Sequence, residues 1–191
     1  FYNCNFLREI ELPEMVQSIG SYAFYNCDAL KEIAIPAGVK SINERTFYEC
    51  DALERVILPD GLETIEEYAF YYCYNLKEIK LPPMVKTIEN SVFYNCSSLE
   101  EIRIPSSVTS IGSSAFAGCN NLKKVYTYTV EPTAIQESTF STFQTATLYV
   151  PSVSFSNYYW DDGWKRFLNL AEFNEPYEYF YVNNDYTLND D

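Results

Sequence analysis

The chain has 191 residues, with 13 Lys+Arg against 27 Asp+Glu for a net charge of −14, and it contains 6 Cys, 18 Tyr and no His. That balance repels a phosphate backbone, so nucleic acid is excluded as a partner. The lack of His removes the usual general base and the usual zinc ligand. No stretch approaches the roughly 18 apolar residues needed to span a bilayer, so no transmembrane segment is expected.

The opening Phe1-Tyr2-Asn3-Cys4 already belongs to a pattern that recurs downstream, so the sequence reads as a fragment of a longer chain. The cysteines fall at Cys4, Cys27, Cys50, Cys73, Cys96 and Cys119, every interval being 23 residues. Phe1, Phe24, Phe47, Phe70, Phe93 and Phe116 keep the same step, as do Leu7, Leu30, Leu53, Leu76, Leu99 and Leu122. A third column runs Ile10, Ile33, Val56, Ile79, Ile102, Val125, Leu148, and a fourth Leu12, Ile35, Leu58, Leu81, Ile104, Thr127, Val150. A strict period with this apolar skeleton means a solenoid in which each turn stacks on the last.

Within each unit the I-x-L pair has period two and predicts one short strand, starting with Ile10–Leu12, its apolar residues facing inward. Pro follows at Pro13, Pro36, Pro59, Pro82, Pro105 and Pro151, marking where pairing ends because Pro cannot donate to a ladder. The V-x-x-I step, from Val16/Ile19 through Val108/Ile111, supplies a second inward-facing side. The A-F-x-x-C stretch has i, i+3 spacing and predicts a short turn of 3₁₀ or α helix.

After Val125 the Phe and Cys columns decay to Thr139/Phe140 and Thr142/Phe143, as a terminal coil without a neighbour should. Trp160, Trp164, Phe167 and Leu168 then recur at i, i+4, i+7 and i+8, which predicts an amphipathic helix lying across the open end of the core. The division expected is 1–151 solenoid, 152–171 C-terminal cap, and 172–191 acidic linker or the start of a further domain. In that last part Glu178–Val182 reads as a strand, with turns at 183–185 and 189–191.

The motifs Leu30-Lys-Glu-Ile-Ala-Ile-Pro, Val39-Lys-Ser-Ile and Thr46-Phe-Tyr-Glu-Cys50, with counterparts in every coil, resemble the BspA-like leucine-rich repeat family of bacterial surface proteins. The end-piece Ala146–Pro151 followed by Trp164-Lys-Arg-Phe167 is similar to sequences that close such arrays in Bacteroidetes-type proteins. The expected fold class is therefore a repeat solenoid, a leucine-rich-repeat right-handed superhelix of about seven 23-residue coils. It would have parallel β-strands, short helical turns and a C-terminal helical cap. The resemblance implies a secreted or cell-surface protein used for adhesion to an extracellular protein or glycan. A passive spacer presenting neighbouring domains is the alternative, and a monomer is expected in either case. Periodicity alone gives only the solenoid.

Candidate sites follow from the columns. Six cysteines in one column share one environment, and stacked strands about 4.8 Å apart exceed the Cβ separation of about 3.8 Å that a disulfide takes. Free, buried thiols packing as small hydrophobes are expected, and a Cys73→Ser change would bury a hydroxyl with no assured partner. No cofactor, metal or catalytic residue is expected: no His is present, no D-x-D-x-D-G loop is present, and the adjacent Asp161 and Asp162 cannot face each other across a cleft. Either aspartate suits a helix cap better. The outward strand positions are the binding candidates: Glu9, Glu32, Arg55, Glu78, Glu101 and Lys124 in one column, and Glu11, Ile57, Lys80, Arg103, Tyr126 and Tyr149 in the other. These vary from coil to coil while the core columns repeat, as a surface free to match a partner would; the alternative is a solvated face of cross-strand ion pairs. A further column of Tyr2, Tyr25, Tyr48, Tyr71 and Tyr94, thickened by Tyr22, Tyr68, Tyr72 and Tyr74, reads first as a half-buried ring-on-ring ladder and second as a docking stripe.

Overall fold

The computed structural model describes residues 1–176. The strand and turns expected within 178–191 lie outside the described residues. Each regular coil crosses the same three sides in order. On the first lie β1 (Glu32–Ala34), β3 (Arg55–Ile57), β5 (Glu78–Ile79), β7 (Glu101–Ile104), β9 (Lys124–Thr127) and β10 (Thr147–Pro151). On the second lie β2 (Ser41–Ile42), β4 (Thr64–Ile65), β6 (Thr87–Ile88) and β8 (Ser110–Ile111), a parallel sheet in the order β2-β4-β6-β8. The I-x-L pair thus makes the expected strand, and the V-x-x-I step makes a strand of its own. In the first coil Ile10–Leu12 forms none: β1 pairs only with β3. The fold is a parallel β-solenoid of about six turns of 23 residues rather than seven. The sixth strand of the first side, β10, keeps the register Leu148↔Val125, but residues 128–146 no longer build the regular second and third sides.

The third side corrects the sequence reading. A-F-x-x-C is a run of turns, not a helical turn, because two positions per coil are left-handed: Tyr22, Arg45, Tyr68, Ser91 and Ser114 in one column, Asn3, Asn26, Glu49, Tyr72, Asn95 and Gly118 in the other. A helix cannot pass through such residues. Their backbones instead alternate partners. Tyr22, Phe24 and Asn26 donate to Glu44, Thr46 and Tyr48 in the next coil at 2.8–3.0 Å, while Ala23, Tyr25 and Cys27 bond back three residues within their own coil. Every coil-to-coil bond thereby helps offset the roughly 1–2 kcal/mol that a left-handed non-glycine residue costs. At Gly118, with φ 75°, an added Cβ would run into the Asn95 side chain as well.

Inside the prism the columns become ladders. Consecutive rings from Phe1 to Phe116 stack at 5.3–5.4 Å, within 15° of parallel, and Phe140 continues them at 4.9 Å from Phe116. Parallel, in-register stacking puts each ring over its twin, so one residue type satisfies every coil. All six cysteines are free, Cys4 exposed and the other five buried. They do more than fill space: Cys27, Cys50, Cys73, Cys96 and Cys119 each donate the thiol to the carbonyl of the Phe 26 residues earlier, at 3.0–3.2 Å. A serine at Cys73 would therefore meet an acceptor, contrary to the expectation of an unpartnered hydroxyl.

The C-terminal closure also differs from the sequence reading. Instead of one helix through Trp160, Trp164, Phe167 and Leu168, a 3₁₀ turn (Ser152–Ser154), helix α1 (Phe155–Trp160) and a second 3₁₀ turn (Trp164–Arg166) follow β10. Asp161 is extended and ends α1, and its Oδ1 accepts the amides of Gly163 and Trp164, closing the next turn. Trp164 and Phe167 are buried as expected, but Trp160 is 75% and Leu168 66% exposed. Within α1, Tyr158 is the aromatic that enters the core. β11 (Asn169–Phe173) then pairs parallel with β10, so a strand of the solenoid runs across the boundary drawn between 171 and 172.

Candidate functional site

The strand face carries the predicted binding residues at fixed register: Glu32↔Arg55↔Glu78 on one sheet, Glu101↔Lys124↔Thr147 on the next. Glu9 and Glu11 are exposed but sit on irregular chain before β1, so they do not share the ladder. Ile57, Lys80, Tyr126 and Tyr149 stand half-buried in the second outward column.

Much of this face is wired to itself. Glu32 faces Arg55 at 3.7 Å, and Glu101 takes both Arg103 at 2.7 Å and Lys124 at 3.7 Å. The Arg103 guanidinium lies over the Tyr126 ring, 3.8 Å from its centroid, and donates to the Tyr128 hydroxyl at 2.9 Å. Tyr126 in turn stacks on Tyr149 at 4.4 Å, and Phe173 closes on Tyr126 and Tyr128 edge-on. Arg103 is thus an organiser of an aromatic cluster. Tyr128, which stands one 23-residue step after Pro105 where the other coils have the strand-ending Pro, is a buried member of that cluster. Nothing in the repeat pattern marked it, because it lies where the pattern had lapsed.

The strand-side ladder is split between β5 and β7. Both outward columns meet like charges at that step, Glu78 against Glu101 and Lys80 against Arg103. Glu78 has an exposed side chain, yet its crowded carboxyl is held above the usual range, chiefly by desolvation. Lys80, Arg55 and Arg103 pull it down, and Glu101 pushes it up.

The turn face is aromatic. Tyr2, Tyr25, Tyr48, Tyr71 and Tyr94 stack at 4.8–4.9 Å, the ring-on-ring ladder expected. Tyr72 tilts against Tyr71 and lies nearly parallel to Tyr74 at 5.3 Å. Arg45 is held between Tyr22 and Tyr68, its guanidinium 5.5 and 4.6 Å from their centroids.

The buried cysteines do not have the character of nucleophiles. Burial pushes the Cys119 thiol up to about 12 and drives Cys73 higher still. Among the described residues no group of three or more His, Cys, Asp or Glu side chains is placed to hold a metal ion, and no helix is long and apolar enough to cross a membrane.

This geometry of stacked 23-residue turns agrees with a family model for the BspA type leucine rich repeat region, which matches residues 1–123 and 42–161 with six copies. The chain belongs to the BspA-type leucine-rich repeat family. Solved structures similar to this BspA-type chain include a leucine-rich repeat protein of T. pallidum, 28% identical with a TM-score of 0.61, covering 87% of this chain and 69% of that one. Another, from Bacteroides ovatus, is 28% identical with a TM-score of 0.57 over 74% of this chain and 45% of that one. The pneumococcal vaccine antigen PcpA, 20% identical with a TM-score of 0.63 over 83% of this chain and 44% of its own, shares the fold. The BspA-type chain thus spans less than half the length of the last two. No curated protein matches it.

Proposed function

We propose that this chain is a non-catalytic binding module of the bacterial cell exterior, engaging an extracellular protein or glycan through the strand face. Membership of the BspA-type family supports a binding or scaffold role. The observation that carries the reading is the contrast between columns. The inward Phe, Leu and Cys columns repeat one residue through six coils. Outward ones change from Glu32, Arg55 and Glu78 to Glu101 and Lys124 in one column and from Ile57 and Lys80 to Arg103, Tyr126 and Tyr149 in the other, on a register kept within each of two sheets. A surface kept variable on a fixed scaffold suits recognition by shape and charge with little rearrangement. Residues 1–151 would supply that surface, with 152–171 as its cap.

The test is capture of labelled protein on immobilised extracellular-matrix proteins and on a glycan array, comparing wild type with Arg55→Ala, Lys80→Ala, Arg103→Ala and Tyr126→Ala. Loss of capture in at least one variant that melts like wild type is the expected result. Capture untouched by all four removes the strand face as the site.

The second reading, a spacer with no ligand, is favoured by one observation: the outward charges satisfy each other. Besides the strand-face pairs, Glu54 meets Lys77 at 2.7 Å, Glu63 meets Lys86 at 2.6 Å and Glu100 meets Lys123 at 3.4 Å, each across one coil. Absence of capture on every surface, with the fold intact, would select it.

A further inference from the structure

The turn face differs from the other two in charge as well as in chemistry. In the segments 21–28, 44–51, 67–74, 90–97 and 113–120 the only basic residue is Arg45. It is already committed, sandwiched by Tyr22 and Tyr68, donating to the Tyr22 hydroxyl at 2.6 Å and paired with Glu44. Consecutive coils, tied there by the Ala52 amide donating to the Asp28 carbonyl at 3.1 Å, bring Asp28, Glu49 and Asp51 together: desolvation, then Asp51 and Asp28, hold the Glu49 carboxyl up, and desolvation and Asp28 do the same for Asp51. Among the described residues none of the three makes an ion pair, whereas Glu54, Glu63, Glu100 and Glu101 all meet a lysine one coil away. Unpaired carboxylates therefore adjoin an aromatic surface of Tyr48, Tyr72 and Tyr74, the last 40% exposed. These rings are held in place by stacking and, at Tyr72, by a left-handed backbone with φ 61°.

We propose that this tyrosine and carboxylate face is a docking surface for a basic, arginine- or lysine-bearing segment of a protein partner. The molecule shows the mode of recognition on its own side chains: Arg45 sits between two tyrosines of the same face, one turn below and one turn above, and donates to the Tyr22 hydroxyl. A partner's guanidinium over Tyr72 or Tyr74 gains the same cation–π attraction and reaches Asp51 or Glu49 for a charge-assisted hydrogen bond. Tyrosine supplies large contact area at low entropic cost, and the anionic rim selects the sign of the partner and speeds its approach. A neutral glycan leaves the carboxylates unmatched, and an acidic one is repelled. This surface is separate from the strand face, so its failure leaves the strand-face proposal standing.

The probe is a fluorescein-labelled octa-arginine peptide, with octa-citrulline as its neutral isostere, titrated by anisotropy into the whole chain at physiological salt. Asp28→Asn/Glu49→Gln/Asp51→Asn is compared with Glu14→Gln/Glu137→Gln/Glu175→Gln, which removes the same charge elsewhere. Affinity for octa-arginine is expected to fall roughly tenfold or more in the first triple variant and less than about twofold in the second, because screening confines the attraction to nearby charges. Tyr74→Ala, an exposed site whose loss leaves the core intact, is expected to weaken binding about threefold. Equal losses in the two triple variants, no loss in either, or equal binding of octa-citrulline would overturn the proposal. So would tight binding of a neutral glycan that the first triple variant retains.

Discussion

The Cys73 thiol donates to the carbonyl oxygen of Phe47 over 3.1 Å, and Phe47 lies 26 positions earlier in the chain. The same carbonyl accepts the amide of Cys50 at 3.3 Å, so the Phe carbonyls from Phe1 to Phe93 each tie their own coil and the next one. This gives the cysteine column a reason beyond size. A weak donor must reach across one rise of the solenoid, and sulfur's longer bonds let a small side chain do so.

Replacing Cys73 with alanine removes both volume and donor, and is expected to cost about 1–3 kcal/mol in urea denaturation. Cys73→Ser keeps a donor near the Phe47 carbonyl and should cost less than the alanine change. A larger cost for serine than for alanine would contradict the thiol hydrogen bond.

Thiol labelling reads the same column independently. Cys4 is exposed while the other five are buried with raised thiol pKa values, so one thiol should react quickly in native protein and all six after unfolding. Fewer than six in denaturing, non-reducing buffer would reveal a disulfide.

Tyr158 closes the end of the core through its hydroxyl, which meets Thr127 Oγ1 at 3.0 Å and the Thr129 carbonyl at 3.1 Å, with Thr129 Oγ1 also in contact. Tyr158→Phe leaves buried hydroxyls short of a partner and should cost about 1–3 kcal/mol. Thr127→Val restores the aliphatic column. The double variant should cost less than the two single changes together by at least about 0.5 kcal/mol, measured as a double-mutant cycle. Simple additivity would show that the contact carries no energy.

At the split between β5 and β7, Glu78→Gln removes one of two facing like charges and is expected to stabilise the fold by about 0.2–1 kcal/mol near neutral pH. The folded carboxyl of Glu78 is raised, so the folded state binds the proton more tightly than the unfolded chain. Its contribution is favourable at acid pH and is lost as pH rises through the folded pKa. The advantage of Glu78→Gln over wild type should therefore shrink as pH falls toward about 4, followed by thermal melting. An advantage independent of pH would assign the effect to something other than the charge.

Arg103 serves the aromatic cluster with its flat face and its fork of donors, which lysine lacks. Arg103→Lys should cost about 1 kcal/mol in melting experiments. Lys124→Gln, which loses one exposed pair, should cost less than about 0.5 kcal/mol. Equal costs would mean that the stacking on Tyr126 contributes nothing.

The core was legible in the residues because a solenoid converts period into place. A column of Phe or Cys at a constant step has only one way to stack, and the stacked rings from Phe1 to Phe116 follow from it. Of the two left-handed columns, Asn3, Asn26, Asn95 and Gly118 carry a signal in residue type, and the other column carries none. Tyr22, Arg45 and Tyr68 are ordinary residues for a helix, and only bonds made to the next coil hold them at positive φ. Thr127 did carry a signal, since a polar residue in an aliphatic column needs a buried partner. That the partner is Tyr158 rather than one of the flanking tryptophans depended on where Asp161 ends the helix.

On the binding faces the division is similar. Sequence alone established the repeat, the inward columns and the outward positions, because each of these is a property of local pattern. Tertiary structure alone decided which outward charges neutralise one another. It set Glu101 with Arg103 and Lys124, enclosed Arg45 between two tyrosines, and left Asp28, Glu49 and Asp51 together with no ion-pair partner among the described residues. Electrostatic pairing acts over a few ångströms, and only the stacking of coils brings residues 23 positions apart to that distance.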